Sequence, residues 1–328
     1  MRTLVVGGGS IGRRHVMTAR ALGWQVALAE TDRERASQVA EEAGGIETFP
    51  GLGEGLAWRP EAAIIATPHR FHAAHAKVCA EAGADLLIEK PISHSLDEAD
   101  EVIAVAGKCG RKAYVVCNMR FHPAVAAIRE NVERLGTVYY ARSHYGDYLP
   151  SFRPGRDYRE LYAARRAEGG GVVLDAAIHE LDLMMWLFGP VARLQGMAAK
   201  LSDLEMDAED FCNIVIEHET GTRSVITFDY FSRWRRRGIE LVGGKGQILW
   251  ESEGKAPEHA RVRLYDGAAG QWETLYESGD VDNAVMYRDC LIAFGDVVAG
   301  AAAPMQTAEE ARARLEVALR ARDRAAWN

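Results

Sequence analysis

The 328-residue chain is short of several things that would have narrowed its class. Its five cysteines, Cys79, Cys109, Cys117, Cys212 and Cys290, are odd in number, widely spaced and without a CxxC pair. That argues against a disulfide framework and predicts reduced, mostly buried thiols in a cytoplasmic protein. No apolar run approaches the roughly 18 residues that a membrane-spanning helix requires. The strand-like run at Thr3 has no signal-peptide core before it. Basic charge is not in excess: the net charge of −8 argues against a general nucleic-acid binder. No metal-ligand cluster, internal repeat or low-complexity tract stands out. What remains is a chain with 48% hydrophobic residues, long enough for two domains with cores of their own.

What is present starts with Thr3-Leu-Val-Val6, a buried-strand pattern leading into Gly7-Gly8-Gly9-Ser10-Ile11-Gly12, after which residues 13–22 suit a helix. Strand, glycine turn and helix in that order form a pyrophosphate cradle. Gly7 permits the tight turn, Gly9 the close approach of backbone to phosphate and Gly12 close helix packing, with Ser10, Ile11 and Arg13 opening the helix. The next strand-like run, 25–29, ends at Glu30, about 20 residues on, where a carboxylate accepts hydrogen bonds from a ribose diol and repels a 2′-phosphate. NAD is expected rather than NADP, with Arg33 and Arg35 read as solvated helix surface. Strand-like runs at 46–49, 62–66, 85–88 and 113–117 alternate with helix-like runs at 72–82 and 96–109, the latter opening on a Ser95/Glu98 capping box. The alternation predicts a doubly wound parallel sheet over residues 1–120. Ligands bind at the carboxyl ends of such strands, which makes Thr67-Pro68, Glu89-Lys90-Pro91 and Asn118 with Arg120 candidate contacts. A Lys in Lys90's position can stabilise charge on a hydroxyl that is becoming a carbonyl.

The stretch Gly169 to Gly189 reads as an apolar helix with ionisable groups on one side. At about 100° per residue, Asp175, His179 and Asp182 share a narrow stripe beside an apolar one of Leu174, Ile178, Leu181 and Met185. An imidazole held rigidly near a carboxylate suits proton transfer to or from a substrate hydroxyl. Glu180 falls on the opposite side and is expected to be exposed.

Residues 123–135 read as the helix entering a second domain and 138–143 as its first strand. Further strand-like runs follow at 191–199, 211–217, 222–230, 237–242 and 247–251, and helices at 281–300 and 307–325. Between the first strand and the Asp175 helix, residues 143–166 mix Tyr145, Tyr148, Phe152, Tyr158 and Tyr162 with Arg153, Arg156, Arg159, Arg165 and Arg166. Arg forks and aromatic faces suit an anionic ring substrate, with Tyr148, Arg153, Arg156 and Tyr158 as contacts. The alternative is a subunit arm whose arginines pair with a neighbour's acids. The cluster Ser232–Arg237 is read as solvated surface.

These pieces together resemble the Gfo/Idh/MocA family, the relatives of glucose–fructose oxidoreductase and inositol dehydrogenase. The resemblance rests on GGGSIG at 7–12, ATP at 66–68 with His72 beyond it, EKP at 89–91, Asn118 with Arg120-Phe121, and DAAIHELD at 175–182. It implies a Rossmann domain over 1–120, an α+β domain with an open, mostly antiparallel sheet over 121–305, and a C-terminal helix, 306–328, that packs back on the first domain. It also implies an NAD-dependent oxidoreductase acting on a small carbohydrate, as a homodimer or homotetramer with no nucleic-acid or membrane partner. His72 and Glu89 join the cofactor contacts. Lys90 would touch both substrate hydroxyl and cofactor, His179 would be the proton-transferring base, and Asp175 would hold the substrate or orient the imidazole. Two rivals share the fold: a redox-neutral glycosidase using NAD transiently, and a non-catalytic dinucleotide-sensing regulator.

Overall fold

The computed structural model describes residues 1–254, 258–303 and 305–323. The chain forms two compact units, Met1–Asn118 with Met286–Leu315, and Met119–Val285 with residues 316–323.

The first unit contains β1 (Arg2–Val6), α1 (Ser10–Ala21), β2 (Gln25–Ala29), α2 (Arg33–Glu42), β3 (Glu47–Phe49), α3 (Leu52–Ala57), β4 (Ala62–Ile65), α4 (His72–Glu81), β5 (Asp85–Ile88), α5 (Leu96–Lys108) and β6 (Ala113–Val115). The strands pair in parallel in the order β6-β5-β4-β1-β2-β3. Leu4, Val5, Ile64, Ile65 and Leu86 to Ile88 are fully buried, so these strands are covered on both faces. That is why they read as continuous apolar runs rather than as alternating ones. The Ser95/Glu98 capping box does not form: the Ser95 side chain makes no cap hydrogen bond, and Glu98 instead accepts from the Ser93 hydroxyl.

The second unit opens on α6 (Pro123–Asn131) and β7 (Val138–Tyr148), passes through short 3₁₀ turns to α7 (Ile178–Phe188), and continues as β8 (Val191–Ala199), β9 (Phe211–His218), β10 (Arg223–Asp229), β11 (Phe231–Gly243), β12 (Gly246–Glu253), β13 (Glu258–Asp266) and β14 (Gln271–Val281). The eight strands run in the order β14-β13-β12-β11-β7-β10-β9-β8. β7 and β10 pair in parallel and the remaining neighbours antiparallel. One face buries Ile214, Ile226, Phe228, Ile239, Leu241, Ile248, Trp250 and Val262. The alternate positions, Val215, Val225 and Thr227 among them, stay at least partly exposed. β13 and β14 were not expected from the sequence, although on β13 Arg261 and Arg263 alternate with buried Ala260, Val262 and Leu264; β14 buries only Val281 and carries a weaker pattern.

α8 (Asn283–Val298) and α9 (Ala308–Asp323) close the chain, with the two-residue strand Gln306–Thr307 pairing antiparallel to β6. Residues 286–305 group with the first unit rather than with 121–305 as expected, and residues 316–323 of the C-terminal helix, expected on the first domain, group with the second unit. The reason for the first grouping lies in contacts of residues 286–315: Lys112 Nζ donates to the last carbonyls of α8, Tyr287 packs edge-on against His15, and Arg312 pairs with Asp100. Thr307 and Glu310 form the predicted capping box, each side chain accepting from the other's backbone N–H at 3.2 Å. All five cysteines are free, and burial pushes the Cys79 thiol up to about 12. Among the described residues no helix is long and apolar enough to cross a membrane.

Candidate active site

In the first unit the glycine turn has the shape its composition predicts. A methyl group at Gly12 would lie 1.8 Å from the Gly7 carbonyl oxygen, whereas one at Gly9 would meet nothing within 4 Å. Gly12 is therefore required for packing, and Gly9 leaves open space beside the first turn of α1, whose leading N–H groups have no intrahelical acceptor. That combination fits a dinucleotide pyrophosphate. Glu30 Oε2 accepts from Gly8 N–H at 2.6 Å and Oε1 from Asp32 N–H at 2.9 Å. Burial pushes this carboxyl up, but those two donors and the Arg35 guanidinium outweigh burial and hold it below its ordinary value, so it is an anion. Arg35 is not free helix surface: it pairs with Glu30 and Asp32. Arg13, expected at the cofactor, instead pairs with Glu42 on the exposed side of α1.

The loops after β4 and β5 are tied together from behind. His72 is fully buried and its ring spans the carbonyl oxygens of Pro91 and Thr67, at 2.8 and 2.7 Å. Burial drives its pKa below the ordinary histidine value. Thr67 Oγ1 lies 3.1 Å from His75 Nδ1, and Pro68 is exposed. Glu89 Oε1 accepts from His15 Nε2 at 2.7 Å. Burial raises the Glu89 carboxyl, but the His15 hydrogen bond and the nearby Lys90 charge bring it below its ordinary value. His72 and Glu89, expected as cofactor contacts, are buried and hydrogen-bonded within the unit beside Lys90, which is half-buried and followed by a cis peptide bond to Pro91. The Asn118 side-chain oxygen is buried without a hydrogen-bond partner among the described residues.

In the second unit the segment before α7 is not α-helical. Val173–Ala177 form a π-helical turn, preceded by Gly169, Gly170 and Gly171. A side chain at Gly171 would overlap the Glu209 carboxylate, and one at Gly170 would lie 2.1 Å from the Tyr162 carbonyl oxygen. Glu209 caps the turn, with its carboxylate 3.4 Å from Val173 N, and burial pushes that carboxyl up. Asp175 sits inside the π turn, 8% exposed, with both oxygens engaged: Tyr162 donates to Oδ1 and Tyr230 to Oδ2, the latter at 2.7 Å. Burial, reinforced by the Asp175 charge, raises the Tyr230 phenol well above its ordinary value, so it remains a donor. His179 follows four residues later, half-buried. A π turn is wider than an α turn, so residues four apart come closer to one azimuth than the 3.6 period allows.

Asp182 of the predicted stripe binds Arg120 through two hydrogen bonds of 2.8 and 2.5 Å, both side chains buried. Arg120, expected at the substrate, thereby has its guanidinium fork filled from within the unit. Glu180, expected to be exposed, is fully buried: it accepts from Ser143 Oγ at 2.9 Å and pairs with Arg237. The Ser232–Arg237 run is correspondingly not plain surface, because Arg235 and Arg237 share the inward alternation of buried Ile239 and Leu241 and lie against Tyr145. Of the arginine-rich segment, Arg159 pairs with Asp157 and Glu205, Arg165 with Glu168, and Arg166 with Glu209. Arg153 and Arg156 are exposed and form no ion pair among the described residues. Tyr148 lies under Arg233, 3.9 Å from guanidinium carbon to ring centroid, and the Tyr158 hydroxyl accepts from Glu205 N–H. Sequence reasoning missed Tyr162, Tyr230 and Glu209 as partners of the π turn. The glycine triplet was the one local signal that something must pack closely there.

A profile of the oxidoreductase family with an NAD-binding Rossmann fold matches residues 1–117, and one of the GFO/IDH/MocA C-terminal domain matches residues 125–249. The chain is 28% identical to D-apiose dehydrogenase of Paraburkholderia graminis over 78% of its own length and 69% of that protein's. It is 32% identical to UDP-N-acetylglucosamine 3-dehydrogenase of Acidithiobacillus ferrooxidans over 63% of its length and 61% of that protein's. In fold it is similar to an oxidoreductase from Agrobacterium radiobacter solved in complex with NAD+, L-tartaric acid and magnesium, with a TM-score of 0.84 at 17% identity, covering 99% of this chain and 96% of that one. With both halves matched in order, the chain belongs to the Gfo/Idh/MocA family of NAD-binding oxidoreductases.

Proposed function

We propose that this protein is an NAD-dependent dehydrogenase interconverting a secondary alcohol and a ketone on a sugar, sugar acid, polyol or nucleotide-linked sugar. The observation that carries the reading is the π-helical turn, which holds the Asp175 carboxyl between two phenols four residues before the half-buried His179. Relatives named as dehydrogenases of D-apiose and UDP-N-acetylglucosamine support the substrate class. Bound NAD supplies the hydride acceptor. The N–H groups of Gly9, Ser10 and Ile11 hold its pyrophosphate, and Glu30 accepts from its ribose diol while repelling a 2′-phosphate. Thr67 and Pro68 line the nicotinamide half. Lys90 donates to the substrate hydroxyl and stabilises charge as the carbonyl forms, and His179 takes the hydroxyl proton. The orphaned Asn118 oxygen gains a substrate hydroxyl as donor. Arg153 and Arg156, with Tyr148 and Tyr158, favour a substrate carrying an anionic group. The partly apolar open face of the second-unit sheet, with Val215 at 39% exposure, supports a homodimer or homotetramer, which light scattering on the eluting protein measures.

The test is NADH formation across a panel of inositols, free sugars, sugar acids and nucleotide sugars. Lys90→Ala and His179→Ala should each lower turnover about a hundredfold or more, with NAD affinity unchanged within about threefold. NAD affinity falling in step with turnover in both variants would overturn the roles assigned to these side chains. NAD binding without NADH from any panel member would overturn the dehydrogenase reading.

A further inference from the structure

Asp175 is the one charged side chain of the π turn, and the donors that hold it differ in kind. Tyr230 is fully buried, wedged edge-on against Phe228 and Phe152 at ring-centroid distances of 6.0 and 5.4 Å. Its hydroxyl has nowhere else to go. Tyr162 is 39% exposed and stands on a 3₁₀ turn, Tyr162–Ala164, within the arginine-rich segment. That turn is bonded to the glycine triplet opening the π turn: Gly170 N–H donates to Arg165 O and Gly171 N–H to Ala163 O, each at 2.9 Å. The segment touches the other phenol as well, through Phe152, and the next residue is Arg153, which projects to solvent. From this segment, Tyr162 is the side chain that donates directly to Asp175.

We propose that Tyr162 is a positioning residue that couples the arginine-rich segment to the Asp175–His179 pair, holding Asp175 Oδ1 while Tyr230 holds Oδ2. The inference rests on the dehydrogenase reading of this site and deepens it. A carboxylate with both oxygens taken by phenols keeps its charge but shares its electron density with two donors. Removing one donor concentrates that density and frees the carboxylate to turn. The charge His179 feels rises and its placement loosens, so ordering of residues 152–162 on a substrate reaches the proton-transfer step through one hydroxyl. Tyr162 touches Asp175 and is assigned no contact with substrate, so its removal should act on kcat before KM.

The experiment compares Tyr162→Phe with Arg159→Gln, which removes the Asp157 and Glu205 pairings and loosens the same segment without touching Asp175. The first readout needs no turnover: the pH titration of the His179 ring proton by NMR, assigned among the ten histidines with the His179→Gln spectrum. Tyr162→Phe should move the His179 midpoint upward by about half a pH unit, and Tyr230→Phe in the same direction, while Arg159→Gln speeds amide exchange over residues 157–168 and moves the midpoint upward by less, a shift that vanishes in the Tyr162→Phe background. The second readout is steady-state kinetics, in which Tyr162→Phe lowers kcat about tenfold with KM within about twofold, the scale of one hydrogen bond to a charged group. An unmoved midpoint and unchanged kcat in a folded Tyr162→Phe protein would overturn the proposal, as would an Arg159→Gln shift that persists undiminished in the Tyr162→Phe background. A wild-type protein that turns over no sugar fails the dehydrogenase reading alone, and the NMR titration still decides Tyr162.

Discussion

Gly12 leaves no space for even a methyl group, since its Cβ would collide with the Gly7 carbonyl, while the same group at Gly9 would enter open space. Gly12→Ala is expected to displace the α1–β1 junction and cost upwards of about 2 kcal/mol, the scale of core overpacking, read as a lower thermal midpoint without NAD. Gly9→Ala should leave that midpoint in place and weaken NAD binding instead. A second single-residue prediction concerns Glu258. Burial pushes its carboxyl up, but the His122 hydrogen bond and the Arg235 and Arg237 charges override burial and hold it at about 2. His122 Nδ1 accepts from Ala124 N–H, so the imidazole is neutral and donates to Glu258 through Nε2. A depressed carboxylate stabilises the fold above its unfolded value, near 4.3, and loses that contribution as pH falls from there to about 2. The contribution at neutral pH is about 3 kcal/mol by linkage. Acid unfolding followed by circular dichroism should show it, with Glu258→Gln already destabilised at neutral pH and less sensitive to acid over that window.

At the scale of elements, two capping boxes of similar sequence differ in outcome. Thr307→Ala removes a formed reciprocal cap from α9 and should cost about 1 kcal/mol. Ser95→Ala removes a side chain that makes no cap bond and should change stability by less than about 0.5 kcal/mol. Denaturant titration of the two variants separates them. α7 is docked on the sheet by a buried ion pair, Glu180 with Arg237, supported by Ser143. Arg237→Met leaves a buried carboxylate unpaired and should cost about 3–5 kcal/mol, and adding Glu180→Leu should recover most of it, measured as the coupling in a double-mutant cycle.

For the whole molecule, the cofactor contacts proposed above fall on the first compact unit, together with Lys90 and Asn118, while His179 and the arginine-rich segment fall on the second. NAD binding should stabilise the first unit by mass action, slowing amide exchange around residues 7–13 and 30–32. A productive sugar should add protection over residues 152–179. Hydrogen exchange with mass spectrometry tests both, and NAD protection confined to the second unit would contradict the assignment. The sheet orders also account for what was readable beforehand. Parallel strands buried on both faces give unbroken apolar runs, which is how β1, β2, β4 and β5 were visible beforehand. The second sheet carries its polar face to the surface; β13 shows this alternation and was overlooked, while β14, largely exposed, carries little of it.

By itself the sequence determined what depends on neighbours along the chain: the glycine turn with Glu30 some 20 residues on, the strand–helix alternation, the Thr307 cap, and a helix carrying Asp175 and His179. Only the tertiary structure decided which charges meet. Asp182 binds Arg120 across 62 positions, Glu180 meets Arg237 across 57, and Tyr230 reaches Asp175 across 55. The periods of 3.6 and 2 report which side of its own element a residue faces, not what stands opposite. The opposing partner depends on strand order and register, and here also on a π turn that shifts Asp175 relative to the residues after it. Glu180 was expected outside because its helix was taken as one-sided, and it lies inside because β11 brings an arginine to that second side.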